Sequence, residues 1–335
     1  MGFSGGVVEW AGDGEFEGVS SKSGTAKGPV GIVATSHAAM QEIIGLLARD
    51  QVGVSQVLGA SPRGKGMALA AGLQALQADP VTSVIVLAAG EISTAAVTQI
   101  LARIGESDKP TIVCLLGSDP RSIWKAGAIP AARLDEAAMR AAAWARGWDQ
   151  ALVSAGLEDQ HEQLAGMARE LQPRFTPARC RIHGLFTDDV LGREAQLMLS
   201  DAAKRSGHAQ LEAALTVCVQ PDFSLWQPGL GQALADPQVA VILLDLMCKE
   251  GATSDPVDVL TSALAEHRRL EPGSEVEHSG EPCIIARLSR PGGAPRAVAA
   301  DEARLWDADV ILAPSNAAMA RLAGMIVGEL CRPTS

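Results

Sequence analysis

The stretch ALQADPVTSVIVLAA at residues 75–89 is echoed by ALADPQVAVILLDL at 233–246. In both, an alanine-rich helical run stops at Asp-Pro and an unbroken apolar run follows within a few residues. Proline cannot continue a helix, and it pushes the residue before it out of the helical region, so each Asp-Pro marks a helix end. A strand that is apolar at every position is covered on both faces, the signature of a parallel sheet sandwiched between helices. A chain that spells this joint twice is expected to hold one α/β unit twice.

The flanking pattern agrees. From PVGIVATS (29–36) strands are expected at 30–35, 54–59, 84–89 and 111–116, separated by apolar-periodic helices at 38–49, 66–78 and 94–105. The second half repeats the plan, with strands at 181–186, 214–219, 239–246, 283–288 and 309–313 and helices at 190–206, 230–235, 256–268, 298–306 and 315–329. Lys109-Pro110 and Glu281-Pro282 precede the fourth strand of each half in the same way. The expected fold class is α/β, two duplicated flavodoxin-like doubly wound parallel-sheet domains. Residues 1–28, rich in Gly, Ser, Glu and Lys without a period, read as a flexible leader. The first domain is expected at 29–133 and the second at 179–330. Between them residues 134–178, alanine-rich and closed by Pro173 and Pro177, read as a helical connector.

Composition excludes several function classes. No apolar run reaches the ~18 residues of a membrane span, and no charged segment followed by an apolar one marks a secretory signal. No membrane association and a cytoplasmic location are expected. Six cysteines scattered singly, Cys114 and Cys283 inside apolar runs, fit buried free thiols better than disulfides or a metal site. A net charge of −11 without a basic patch, and the lack of tyrosine, argue against nucleic acid as a partner: such a surface repels phosphates and offers few rings for bases to stack on.

With both halves laid out, the sequence resembles the FdrA family, relatives of the α subunit of succinyl-CoA synthetase within the acyl-CoA synthetase superfamily. The resemblance runs from residue 29 to about 330 and is carried by VGIVATSHAAMQE (30–42), VGVSQVLGASPRG (52–64), HGLFTDDVLGREA (183–195) and DPQVAVILLDLMCKEGATSDP (236–256). Full-length relatives carry a CoA-binding Rossmann-type domain ahead of these units, and the chain resembles the part that follows it. The resemblance implies a succinyl-CoA synthetase-like fold and a subunit role in a multisubunit carbamoyl- or acyl-transferring assembly of the oxamate carbamoyltransferase type, in allantoin and purine nitrogen catabolism. Two alternatives stay open: an acyl-CoA synthetase (ligase) component, and a non-catalytic interaction subunit. The partners implied are other subunits, in a hetero- or homo-oligomer, and a small anion; CoA and carbamoyl phosphate are the cofactor candidates.

In open α/β sheets, ligands bind outside the carboxyl ends of the strands, where helix N-termini favour anions. That singles out the loops at 35–39 and 187–190. Where the family has glycine-containing turns, this chain has TSHAAM, with Ser36 and His37, and TDDVLG, with Thr187 and Asp188. Two carboxylates, Asp188 and Asp189, oppose anion binding there and suit a helix cap instead. At the place of the synthetase phosphohistidine the chain reads IWKAGAIP, with Lys125, an ammonium that cannot relay a phosphoryl group but can hold an anion. The region matching a family His-Pro-Met-Ile-Asp stretch is QPDFSLWQPG, with Asp222 and Trp226 in place of the histidine and aspartate. Arg63, in ASPRGKG, keeps a family arginine suited to a carboxylate or carbamoyl phosphate. Asp245, in an apolar strand, needs either a ligand or a structural partner. His183, at a strand start, reads as structural. The catalytic residues are left unassigned.

Overall fold

The computed structural model describes residues 7–11, 15–19, 26–60, 65–175, 178–206, 214–220, 223–248, 254–270, 281–290 and 295–330. It divides the chain into two compact units, Met1–Glu158 and Asp159–Ser335.

The first unit holds strands β1 (Val7–Ala11), β2 (Glu15–Val19), β3 (Lys27–Ala34), β4 (Val54–Gly59), β5 (Val84–Ala89), β6 (Thr111–Leu115) and β7 (Ile129–Pro130). Its helices are α1 (His37–Arg49), α2 (Lys65–Ala78), α3 (Thr94–Ile104), α4 (Pro120–Lys125) and α5 (Leu134–Arg146). The 22-residue α6 (Gln150–Leu171) contains the division between units. The second unit holds β8 (Arg181–Phe186), β9 (Leu215–Val219), β10 (Val239–Met247), β11 (Cys283–Ser289) and β12 (Val310–Leu312), with α7 (Asp189–Ser206), α8 (Trp226–Ala235), α9 (Pro256–Leu270), α10 (Pro295–Asp307) and α11 (Asn316–Leu330).

The five parallel strands of the first unit run β4-β3-β5-β6-β7 and those of the second β12-β11-β10-β8-β9. Renumbered within each unit, both orders are 2-1-3-4-5, the flavodoxin-like doubly wound arrangement that the repeated joint implied. Every residue of β5 and β10 is buried, as unbroken apolar strands require.

The joint is built the same way in both units. The Asp79 carboxylate accepts from the backbone N–H groups of Val81 and Thr82, and that of Asp236 from the N–H of Gln238. A short acid before proline supplies this turn, which is why Asp and Pro recur together. A cation then bonds to carbonyls of the joint: Lys109 Nζ donates to Leu76 O and Asp79 O at the helix end, and Arg179 to Asp236 O and to Val239 O at the start of β10.

Two regions differ from the sequence reading. Within the expected leader, β1 and β2 pair antiparallel, and β1 extends the first sheet alongside β4, giving seven strands. A two-stranded extension leaves no helical period to read; it forms because β4 offers a free edge. The residues expected as a connector also divide: α5 packs on α1 and against β5 and β6 as a covering helix of the first unit. One close approach explains a glycine pair. A Cβ on Gly28 or Gly53 would sit 2.4 Å from backbone atoms of the opposite segment, where the chain entering β3 passes the turn before β4.

Candidate functional site

The strand order reverses between β3 and β5 in the first unit and between β8 and β10 in the second, and a doubly wound sheet offers its crevice at these points. Each reversal carries a threonine one residue past the first strand, Thr35 and Thr187, followed by the residue that caps the next helix. Ser36 Oγ accepts from Ala39 N at 3.0 Å, while the Asp188 carboxylate accepts from Val190 N at 2.8 Å and its carbonyl from Gly192 N. Six residues past each cap lies a buried glutamate, Glu42 on α1 and Glu194 on α7. Glu194 accepts from Asn316 Nδ2 at 2.7 Å, and the same amide donates to Leu191 O.

Beyond this shared frame the units diverge. In the second, Asp245 is fully buried within β10 and the register sets it opposite Arg287 of β11. The Arg287 guanidinium donates to Asp245 Oδ1 at 3.0 Å, and the Thr187 hydroxyl donates to Asp245 Oδ2. A buried carboxylate is tolerable only when paired and hydrogen-bonded, and both conditions hold. The switch point of the second unit is thus filled from inside by Thr187, Asp245 and Arg287.

In the first unit the same ladder positions are apolar. Val33 pairs with Leu87 as Leu185 pairs with Leu244, so Ala88 stands where Asp245 does, and its neighbour across the ladder, Cys114, where Arg287 does. Both are fully buried. The Thr35 hydroxyl oxygen is buried with no hydrogen-bond partner among the described residues.

Further along the carboxyl edge of the second sheet, Arg290 follows β11 and contacts Asp255 and Asp301, each at 2.6 Å. Asp255 also caps α9, accepting from Val257 N at 2.9 Å. Burial opposes the charge on Asp255, but hydrogen bonds from Arg290 and Val257 N and the Arg290 charge outweigh it and hold its pKa below the usual range. Cys248, after β10, is buried beside this cluster, and burial pushes its thiol up to about 12.

Of the residues singled out in the sequence, Thr187 and Asp245 come together, with Asp188 next in the chain as a cap. Ser36 is a buried cap and His37 the exposed first residue of α1. Lys125 is exposed in the last turn of α4. Arg63 and Asp222 lie outside the described residues. Trp226 is a buried anchor: its indole N–H donates to Gln220 O and its ring stands edge-on to Phe223 at 4.5 Å. Asp245 is partnered by Arg287 and Thr187, and residues 251–253 of the GATSDP loop lie outside the described residues. Sequence reasoning passed over Arg287, although a charge inside the apolar strand CIIARLS was its signal.

No family model matches the sequence. The chain is similar to the uncharacterized protein YahF of Escherichia coli (strain K12), 24% identical over 283 residues, which make up 73% of this chain and 52% of that protein. It thus spans about half the length of the curated relative it matches. Among solved structures it is similar to PH0766 from Pyrococcus horikoshii OT3, at 14% identity and a TM-score of 0.32 over 92% of this chain and 66% of that one. It is also similar to the acetyl-coenzyme A synthetase 1 of Ca. Korarchaeum cryptofilum in complex with phosphate and ADP, at 14% identity and a TM-score of 0.31 over 90% of this chain and 65% of that one. A periplasmic component of an ABC-type sugar transport system from Hahella chejuensis scores 0.38 at 14% identity, over 90% and 93% of the two chains. Neighbours this different in activity, at scores this low, transfer no function. Among the described residues no helix is long and apolar enough to cross a membrane.

Proposed function

We propose that the chain is an FdrA-like subunit of a multisubunit carbamoyl- or acyl-transferring assembly, of the oxamate carbamoyltransferase type, in which the first unit contacts a small anion and the second is a scaffold. The observation that carries this division is the closure of the second switch point by Asp245, Arg287 and Thr187. A ligand entering there would have to part a buried ion pair, whereas in the first unit the Thr35 hydroxyl oxygen has no hydrogen-bond partner among the described residues, and the Thr35 N–H donates to the Ala88 carbonyl. The sequence candidates Ser36, His37 and Arg63 belong to the same unit. The anion classes the resemblance implies are carbamoyl phosphate, an oxamate-like carboxylate and CoA.

One observation favours a partner-binding role alongside this. Trp144, Trp148 and Leu152, four residues apart across the turn from α5 to α6, are 41%, 49% and 60% exposed. Large apolar side chains in the open suit contact with another subunit. A cytoplasmic location and assembly into a hetero- or homo-oligomer are parts of the same proposal.

The test is a thermal-shift screen of the purified chain against carbamoyl phosphate, oxamate, CoA, acetyl-CoA and ATP, with Thr35→Val and Arg63→Ala beside the wild type. A ligand at 100 times its dissociation constant stabilises by about 2.7 kcal/mol. A shift with carbamoyl phosphate or oxamate that both variants abolish supports the reading. A shift with CoA or ATP alone moves the assignment to the ligase alternative. A flat response to all five removes the anion-binding role.

A further inference from the structure

On the far side of the second sheet from its buried ion pair, β8 and the edge strand β9 bring together two groups that the proposed function does not use. His183 lies in β8, and Cys218 in β9 is its diagonal neighbour in a ladder that pairs His183 with Thr216 and Leu185 with Cys218. Cys218 Sγ lies 3.9 Å from His183 Nε2, within hydrogen-bonding range for sulfur. The thiol is partly exposed. We propose that Cys218 and His183 form a nucleophile–base pair, a covalent-modification site for small soluble disulfides.

The thiolate, not the thiol, is the nucleophile, and a neighbouring imidazole is the usual means of forming it near neutral pH. Burial lowers the pKa of His183, with the charge of Asp236 working in the opposite direction, so the ring is neutral and able to accept a proton. In the reaction, His183 Nε2 takes the Cys218 proton and the sulfur attacks one sulfur of the incoming disulfide. A new S–S bond joins Cys218 to that half while the old S–S bond breaks. The departing thiolate takes up the proton and leaves as a free thiol, so the exchange is redox-neutral overall.

The other described cysteines serve as internal controls. Cys114 and Cys248 are buried, and burial pushes the thiols of Cys248 and Cys283 up to about 12. Cys180 is partly exposed like Cys218, but among the described residues no imidazole lies within hydrogen-bonding distance of it. The comparison therefore sets a partly exposed thiol without a neighbouring imidazole against one that has it, and His183→Gln isolates the contribution of the ring.

The experiment treats the full chain at pH 7 with limiting iodoacetamide, and separately with oxidised glutathione, and follows each cysteine by peptide mass spectrometry. With a general base within hydrogen-bonding range of its thiol, Cys218 should alkylate at least about tenfold faster than Cys180. It should also form a mixed disulfide that dithiothreitol reverses. His183→Gln should bring Cys218 down to the rate of Cys180 with the circular dichroism spectrum unchanged. Equal rates at Cys180 and Cys218 in the wild type overturn the proposal, as does a folded His183→Gln variant with an undiminished Cys218 rate. Should that variant fail to fold, the wild-type comparison decides alone.

Discussion

Replacing Asp245 by leucine tests whether the centre of the second unit is held as a structural pair. Asp245 is fully buried and Arg287 is 3% exposed, so removing the carboxylate leaves a guanidinium in the interior without its counter-charge. Breaking a buried pair from one side costs about 3–5 kcal/mol, whereas replacing both partners by apolar residues of similar volume is close to neutral or stabilising. For a unit of this size each kcal/mol moves the melting temperature by about 2–4 °C, which places the single variant roughly 6–20 °C below wild type. Asp245→Leu/Arg287→Leu should recover most of that loss. The Thr187 hydroxyl would then lack its acceptor, a residual penalty of about 1 kcal/mol. Calorimetry with urea unfolding of the wild type, the two single variants and the double variant completes a mutant cycle. If the single variants lie within 1 kcal/mol of wild type, or the double variant is as unstable as the two losses added, the pair does not hold the unit as argued.

Three further outcomes follow from the same geometry. Ser36→Ala and Asp188→Ala each remove a side-chain cap and should cost about 1 kcal/mol in urea unfolding; a loss of only a few tenths would show that the caps are dispensable. Cys248 and Cys283, with thiols pushed up to about 12, should resist iodoacetamide in the folded protein at pH 8 and react once guanidinium unfolds it, as read by peptide mapping. Asp255 has a folded pKa below its unfolded value, so its contribution is present at neutral pH and fades as pH falls below about 4. Asp255→Asn should flatten that acid limb in a pH series of melting temperatures, and an unchanged limb would refute the assignment.

The doubly wound strands were legible because their information is local. An unbroken apolar run fixes burial on both faces, and Asp-Pro fixes the joint before it, as Asp79 and Asp236 both demonstrate. What sequence did not reveal depends on pairing across the chain. The strand pair β1 and β2 joins the sheet at the edge of β4, and α5 reads as a helix without declaring which sheet it covers. The site divides in the same way. Asp188 as a cap follows from residue type and position, whereas Arg287 acquires meaning only when the register of β10 and β11 sets it opposite Asp245.

The register also separates what the duplication kept from what it let drift. Both units retain a threonine after the first strand, a side-chain cap and a buried glutamate six residues on. Two adjacent ladder positions changed together, Ala88 and Cys114 in one unit and Asp245 and Arg287 in the other. Changing only one of them would leave an unpaired charge in the interior, so a lone substitution is disfavoured in either direction. The pair therefore acts as a single structural choice: closed and self-satisfied in the second unit, apolar in the first, where the buried Thr35 hydroxyl oxygen has no hydrogen-bond partner among the described residues.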